Sequence, residues 1–191
     1  IPIVVPDFVT NSTGLLVKDL GFKKIFNMKF EDQYQLNNSE LIFSIFKSGD
    51  LREDSGFYFS AGRFKCLLTV DANNLNFLKL PKVDLFASSF AGGAHGYPLN
   101  CENYSLEDRK RMILIDKNFI KQTKYKYIKK IKPTYFLPYA GFFKEKLKRD
   151  EIYINNNIKN KTDDYTKVCK KYNVKLLDPE KSNIFKFDGN N

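Results

Sequence analysis

Two hydrophobic periods alternate along the chain. Ile1–Val5 is a short apolar run that Pro6 and Asp7 break, and it reads as a buried strand. Asn11 and Ser12 are N-cap residue types ahead of Leu15, Leu16 and Leu20, which fall on one helical face. Gly21 stands where a helix-ending glycine belongs, and Phe22–Met28 returns to strand character. Strand, helix and strand within about 28 residues is the size of a βαβ unit. A short strand is expected around Tyr34–Leu36, and a stronger one over Leu41–Phe46 before the charged loop Gly49–Ser55. Gly56–Ser60 and Phe64–Val70 have the spacing of a hairpin turning at Ala61-Gly62-Arg63.

An Asn-rich loop follows Asp71 as far as Pro81, and Val83–Ser88 is the next strand. It runs into the glycine-rich loop Phe90–Pro98. Ser105 with Asp108 resembles a capping box and opens the longest element, a helix to about Lys130. Its apolar stripe is Ile113, Ile120, Tyr127 and Ile131, with Lys and Arg on the other faces, and Pro133 ends it. Tyr135–Tyr139 reads as a strand, Asp163–Tyr172 as helical, Val174–Leu177 and Ile184–Phe187 as short strands, and Asp188–Asn191 as a frayed end. Strands alternating with helices, joined by antiparallel hairpin strands, specify a mixed α/β layered protein.

Composition narrows the classes. With 191 residues, 42% hydrophobic, the chain is large enough for one real core and too apolar for disorder. We expect a single domain over residues 1–191. No apolar run reaches the length that crosses a bilayer, and no signal-peptide pattern is visible. Cys66, Cys101 and Cys169 are odd in number and widely spaced, so no disulfide framework is expected and a reducing cytoplasm is favoured. Cys66 and Cys169 read as core positions.

The chain has one histidine, which excludes a His-rich metal site or an HExxH protease built from this chain alone. The net charge is +10, and Ser105–Asp150 holds fourteen Lys/Arg against five Asp/Glu. That excess attracts phosphate, nucleic acid or an acidic partner, or is a solvated helix face.

Three places carry candidate chemistry. Asp71 directly follows the strand ending Thr69-Val70, where a carboxylate projects into the crevice above a sheet and can ligate a divalent metal. The alternative is an Asx residue capping the Ala72-Asn73-Asn74 turn. Asp50 and Asp54 could join it from their loop. In the loop after Ser88, Gly92, Gly93 and Gly96 let backbone N–H groups approach a ligand, and His95 lies among them as a polar contact or a merely structural residue. The loop matches neither GxGxxG nor a P-loop. Finally, Tyr139 before Ala140-Gly141 can donate a hydrogen bond to a ligand or pack as core.

Taken in order, Thr69-Val70-Asp71, Leu80-Pro81-Lys82-Val83, Phe90-Ala-Gly-Gly-Ala-His-Gly-Tyr-Pro98 and Pro138-Tyr-Ala-Gly-Phe-Phe143 resemble the metallo-β-lactamase-fold part of CMP-N-acetylneuraminate hydroxylase and its bacterial relatives. Tyr153-Ile154 and its Asn-rich sequel also fit, so the resemblance covers roughly residues 1–160. It implies the C-terminal half of a four-layer α/β/β/α sandwich with a mixed sheet. The His-x-His-x-Asp-His metal loop would lie ahead of Ile1, so the chain is expected to begin in mid-fold. Asp71 matches the metal-bridging aspartate. Asp50 falls near a family histidine, and His95 replaces the usual serine. No Cys-x-His pair of a Rieske cluster is present.

The expectation is therefore a fragment that is inactive alone and binds no metal tightly by itself. Zinc or iron is implied for the full-length protein. The substrate site would comprise Gly92, Gly93, His95, Gly96 and Tyr139 and would take a nucleotide sugar or another anionic molecule. A metal-dependent hydrolase of the same fold is the second reading, and a basic nucleic-acid-binding module the third and less favoured. A half-sandwich also exposes an apolar face, on strands such as Leu41–Phe46 and Lys65–Val70, through which it would self-associate.

Overall fold

The computed structural model describes residues 2–76, 78–91, 97–182 and 184–187. The N-terminal βαβ unit forms as the pattern predicts. Strand β1 (Ile3–Pro6) and strand β2 (Ile25–Met28) pair in parallel as their own two-stranded sheet, joined through helix α1 (Ser12–Asp19). Gly21 ends that helix with φ +89°, a conformation that favours glycine. Asn11 occupies the N-cap position in a left-handed conformation, and its side chain makes no capping bond.

The remaining strands make one seven-stranded mixed sheet: β3 (Tyr34–Gln35), β4 (Leu41–Lys47), β5 (Ser55–Ala61), β6 (Phe64–Thr69), β7 (Leu85–Ser88), β8 (Tyr135–Pro138) and β9 (Lys175–Leu176), in that spatial order. β3 to β6 are antiparallel, β6 to β9 parallel. The hairpin closes as expected, with Ala61 paired to Phe64 across Gly62 and Arg63.

Alternation sets the two faces of the parallel half. Leu67, Phe86 and Phe136 point to one side, where helix α2 (Leu106–Ile131) and helix α4 (Thr166–Lys171) supply Tyr127, Ile128, Val168 and Cys169. Cys66, Leu85, Tyr135 and Leu137 point to the other. All four residues of β7 are buried, and it has a paired strand on each side. The predicted cap of α2 forms, with the Asp108 amide donating to Ser105 Oγ at 3.1 Å. Burial pushes both core thiols, Cys66 and Cys169, up to about 12, as expected for inert cysteines.

Two expectations are corrected. Ile184–Phe187 is not a strand. Phe185 and Phe187 instead pack by side chain onto the Cys66–Leu85 face, with the Phe187 ring 4.9 Å from Phe64 and 5.1 Å from Tyr135. A segment seated by its rings on a sheet face holds its backbone away from the edge where it would pair. The short helix α3 (Glu151–Asn156), entered through a 3-10 turn at Lys148–Asp150, is an element the pattern did not predict. Among the described residues, no helix is long and apolar enough to cross a membrane.

Candidate functional site

The parallel register decides what meets at the sheet edge. Thr69 is paired to Ser88 and Ser88 to Pro138, so β6, β7 and β8 end side by side. The segments leaving them therefore start together: Val70-Asp71, Ser89-Phe90-Ala91 and Tyr139-Ala140-Gly141. Buried side chains tie the strand ends, with Thr69 Oγ1 donating to Ser88 Oγ at 2.8 Å. Backbone bonds continue past them, from Ser89 N to Thr69 O (3.1 Å) and from Tyr139 N to Ser88 O (3.0 Å). The Ser89 hydroxyl donates to the Val70 carbonyl.

The turn after β8 is built for close approach. Gly141 has φ +141°, and a Cβ there would lie 2.9 Å from Ala91 Cβ and 3.1 Å from the Phe90 ring. Only glycine lets this turn stack on the entry to the glycine-rich loop. Phe90 is held from below, because its carbonyl accepts from Asn160 Nδ2 and from the Tyr165 hydroxyl, each at 3.1 Å. The loop's predicted ligand residues Gly92, Gly93, His95 and Gly96 lie outside the described residues.

Asp71 is exposed at the edge beside a cation from this chain. Arg52 donates to the Asp71 carbonyl at 2.7 Å and forms ion pairs with Asp50 and Asp54, each at 3.2 Å. Asp50 and Asp54 thus lie near Asp71, but as partners of the guanidinium. The Arg52 hydrogen bond, with help from Ser48, holds the Asp50 carboxyl below its ordinary value against the opposing effect of burial. An Asx turn does form in the Asn-rich loop, but at Asn76, whose side chain accepts from Leu78 N at 3.0 Å. Tyr139 is half-buried. Burial raises its phenol above the ordinary value, and the Asp71 charge adds to the rise, which puts the two groups in electrostatic reach.

Lys124 is the residue that sequence reasoning missed. It is fully buried on α2, with Nζ 2.5 Å from Asn73 Oδ1 and 6.0 Å above the Tyr127 ring. Tyr127 in turn accepts from the Leu75 amide at 2.7 Å. α2 therefore grips the Asp71–Leu75 segment through two polar side chains. Burial pushes the Lys124 amine down to about 8, and the nearby Asp71 charge opposes the shift. The signal was present in the sequence: Lys124 lies four residues after Ile120 and three before Tyr127, on the apolar stripe.

Next to this edge lies a cleft of about 560 Å³ that starts at Phe90 and Gly141 and is walled by Phe142, Phe143 and Tyr153. Lys159 crosses it, paired to Glu145 at 3.1 Å, donating to the Phe143 carbonyl at 3.0 Å and sitting 3.3 Å from the Phe143 ring centre. Burial pushes the Glu145 carboxyl up, but a backbone hydrogen bond, Lys159 and Asn157 together outweigh it and hold the group below its ordinary value. Lys144 and Lys161 line the same cleft, are exposed, and have no carboxylate partner among the described residues. Among the described residues, no group of three or more His, Cys, Asp and Glu could hold a metal ion. Asp71 offers one carboxylate with Arg52 alongside, and that donor set does not fit a metal on its own.

No family model matches the chain. The cytidine monophosphate-N-acetylneuraminic acid hydroxylase of Asterias rubens is 32% identical over 116 residues, 58% of this chain and 18% of that protein. The Pan troglodytes hydroxylase is 32% identical over 110 residues, 56% of this chain and 19% of that protein. The matched region thus spans less than a fifth of the length of these relatives. Among solved structures, the CmlA β-hydroxylase E377D mutant superposes with TM-score 0.58 at 13% identity, covering 92% of this chain and 37% of that one. CmlA from Streptomyces venezuelae, a diiron β-hydroxylase, gives 0.56 at 14% identity, covering 92% and 38%. The chain thus shares the mixed α/β fold of CmlA over 92% of its length and is similar in sequence, over about half of its length, to CMP-N-acetylneuraminate hydroxylase.

Proposed function

We propose that this chain is the substrate-holding part of a metal-dependent hydroxylase of the metallo-β-lactamase superfamily, and that it binds an anionic substrate of the nucleotide-sugar class. The observation that carries the reading is the meeting of three strand ends beside a cleft of about 560 Å³ with two unpaired lysines. The substrate class is that of the similar hydroxylases of CMP-N-acetylneuraminic acid. In this reading the chain is inactive alone, and zinc or iron belongs to the full-length protein. In the same reading Asp71 contributes a carboxylate toward that centre.

The chain's own residues bind and orient. Lys144 and Lys161 attract the phosphoryl and carboxylate charges of the substrate. Tyr139 gives a directional hydrogen bond at the Asp71 edge, and the sequence alone assigns Gly92, Gly93, His95 and Gly96 to substrate contact. Phe142 and Tyr153 supply apolar walls that exclude water from one side.

Calorimetric titration with CMP-N-acetylneuraminate tests this. Saturable binding is expected, at least tenfold weaker in a Lys144→Gln/Lys161→Gln variant and unchanged in Lys18→Gln, far along the chain on α1. Equal affinity in all three proteins would refute the site.

A further inference from the structure

We infer that the groove between α2 and α4 is a second anion site, one that takes the phosphate chain of a small di- or triphosphate. The groove holds about 350 Å³ and is separate in its lining from the Phe90–Gly141 cleft. Lys126 and Lys129 line one wall from α2, and Lys167 and Lys171 the other from α4. Spacings of three and four residues set each pair on one face of its helix, so two lysine pairs oppose each other across the gap.

All four lysines are exposed, and none has an ion-pair partner among the described residues. The acid that lies near is Asp164, which holds the Tyr125 phenol above its ordinary value as a secondary cause after burial. Its carboxylate is engaged by the Lys161 amide at 2.8 Å. Four ammonium groups gathered without a counter-charge repel one another, and a multivalent anion between the walls relieves that repulsion.

The floor is not bare surface. It is Val168 with the half-buried rings of Tyr125 and Tyr172. Tyr125 is fixed by its hydroxyl, which donates to the Asp164 carbonyl at 2.7 Å, and by its edge contact with the buried Tyr165 ring. Lys171 Nζ lies 5.7 Å from the Tyr172 ring centre. A rigid aromatic floor beneath paired cations suits a phosphate chain that carries a planar ring.

Length selects the small molecule over a nucleic-acid strand. α4 has six residues, so its wall runs about 9 Å at 1.5 Å per residue. That holds two or three linked phosphoryl groups but not the run of phosphates a strand-binding groove tracks.

The test is calorimetric titration with sodium tripolyphosphate and, separately, with ATP at moderate salt. The proteins are the unmodified chain, Lys129→Gln/Lys171→Gln, and a charge-matched Lys18→Gln/Lys23→Gln variant in the N-terminal unit, outside both clefts. We expect saturable binding that weakens at least tenfold in the first variant and less than twofold in the second. ATP binding more tightly than tripolyphosphate would add the tyrosine floor to the site, and equal binding would assign it to the phosphates alone. Equal losses in both variants would overturn the proposal, because diffuse attraction to a +10 chain would then account for the binding. Absence of saturable binding would overturn it too, as would tighter, Lys129- and Lys171-dependent binding of a twelve-nucleotide single strand. The outcome is independent of the CMP-N-acetylneuraminate titration, whose variant lies in the other cleft.

Discussion

Two βα units in this molecule use similar residues and reach opposite ends. In the β1–α1–β2 unit, Leu16 and Phe26 are 60% and 59% exposed, and Val4, Leu15 and Leu20 are also exposed. In the β6–β7–β8 region, Leu67, Phe86 and Phe136 are completely buried, and so is a lysine. Strand propensity and amphipathic spacing are comparable in both. The difference is the neighbouring layer: α2 and α4 cover one face of the seven-stranded sheet, whereas α1 and the two-stranded sheet keep an apolar face with no element of the described chain on it. Burial is a property of what lies opposite, and the energetic weight of a residue follows it.

Truncation should separate the two regions most sharply. Phe86 stacks between Tyr127 and Phe136, at 5.6 and 5.5 Å. Phe86→Ala should cost about 3–5 kcal/mol in urea unfolding. Leu16→Ala on α1 should stay within about 0.5 kcal/mol. Equal losses would erase the contrast.

Lys124 sharpens the comparison through pH. Its amine falls from 10.5 to about 8 on folding, so between those values the unfolded chain binds the extra proton. Stability from this group is therefore lowest below about pH 8 and rises as pH climbs to about 10.5, by about 3 kcal/mol over the window. Lys124→Met should remove that rise and leave the chain no less stable at neutral pH. A variant that keeps the rise would show that Lys124 is not its source.

A smaller effect is expected at the sheet edge. Gly141→Val forces a Cβ against Ala91 and Phe90 at an unfavourable φ, for about 1–3 kcal/mol. It should also weaken CMP-N-acetylneuraminate binding more than it weakens the fold. Binding that survives at wild-type strength would detach the turn from the cleft.

The smallest change in fold stability should come from Leu16→Asp/Phe26→Asp on the open face, within about 0.5 kcal/mol. We propose that this face drives self-association of the isolated chain. Sedimentation velocity should show concentration-dependent association in the unmodified protein and a monomer in the variant. A monomer in both would mean the face stays open.

Local signals carried much of the architecture. Period-2 runs located the strands, Ser105 and Asp108 started α2, and the Ala61-Gly62-Arg63 connection marked the hairpin. α3 escaped because six residues ending in two asparagines are too short and too weak in propensity to declare a helix. Ile184–Phe187 misled because alternating apolar residues describe a strand and a segment seated by its rings equally well. At the site, Asp71 and Tyr139 were legible as residues that follow strands. The pairing of Asp50 and Asp54 with Arg52 was not, since it depends on where a loop side chain comes to rest.

The sequence by itself determined the strand and helix periods, the caps and turns, the +10 charge, the scarcity of histidine and the resemblance carried by its loop motifs. These depend on neighbours within a few positions, where backbone sterics and local hydrogen bonds act. The tertiary structure alone decided which strand ends meet at one edge, that a lysine on an apolar stripe is buried against Asn73, and that two lysine pairs face each other across α2 and α4. Those facts join residues about 20 to 50 positions apart, and only the packing of whole layers brings such residues into contact.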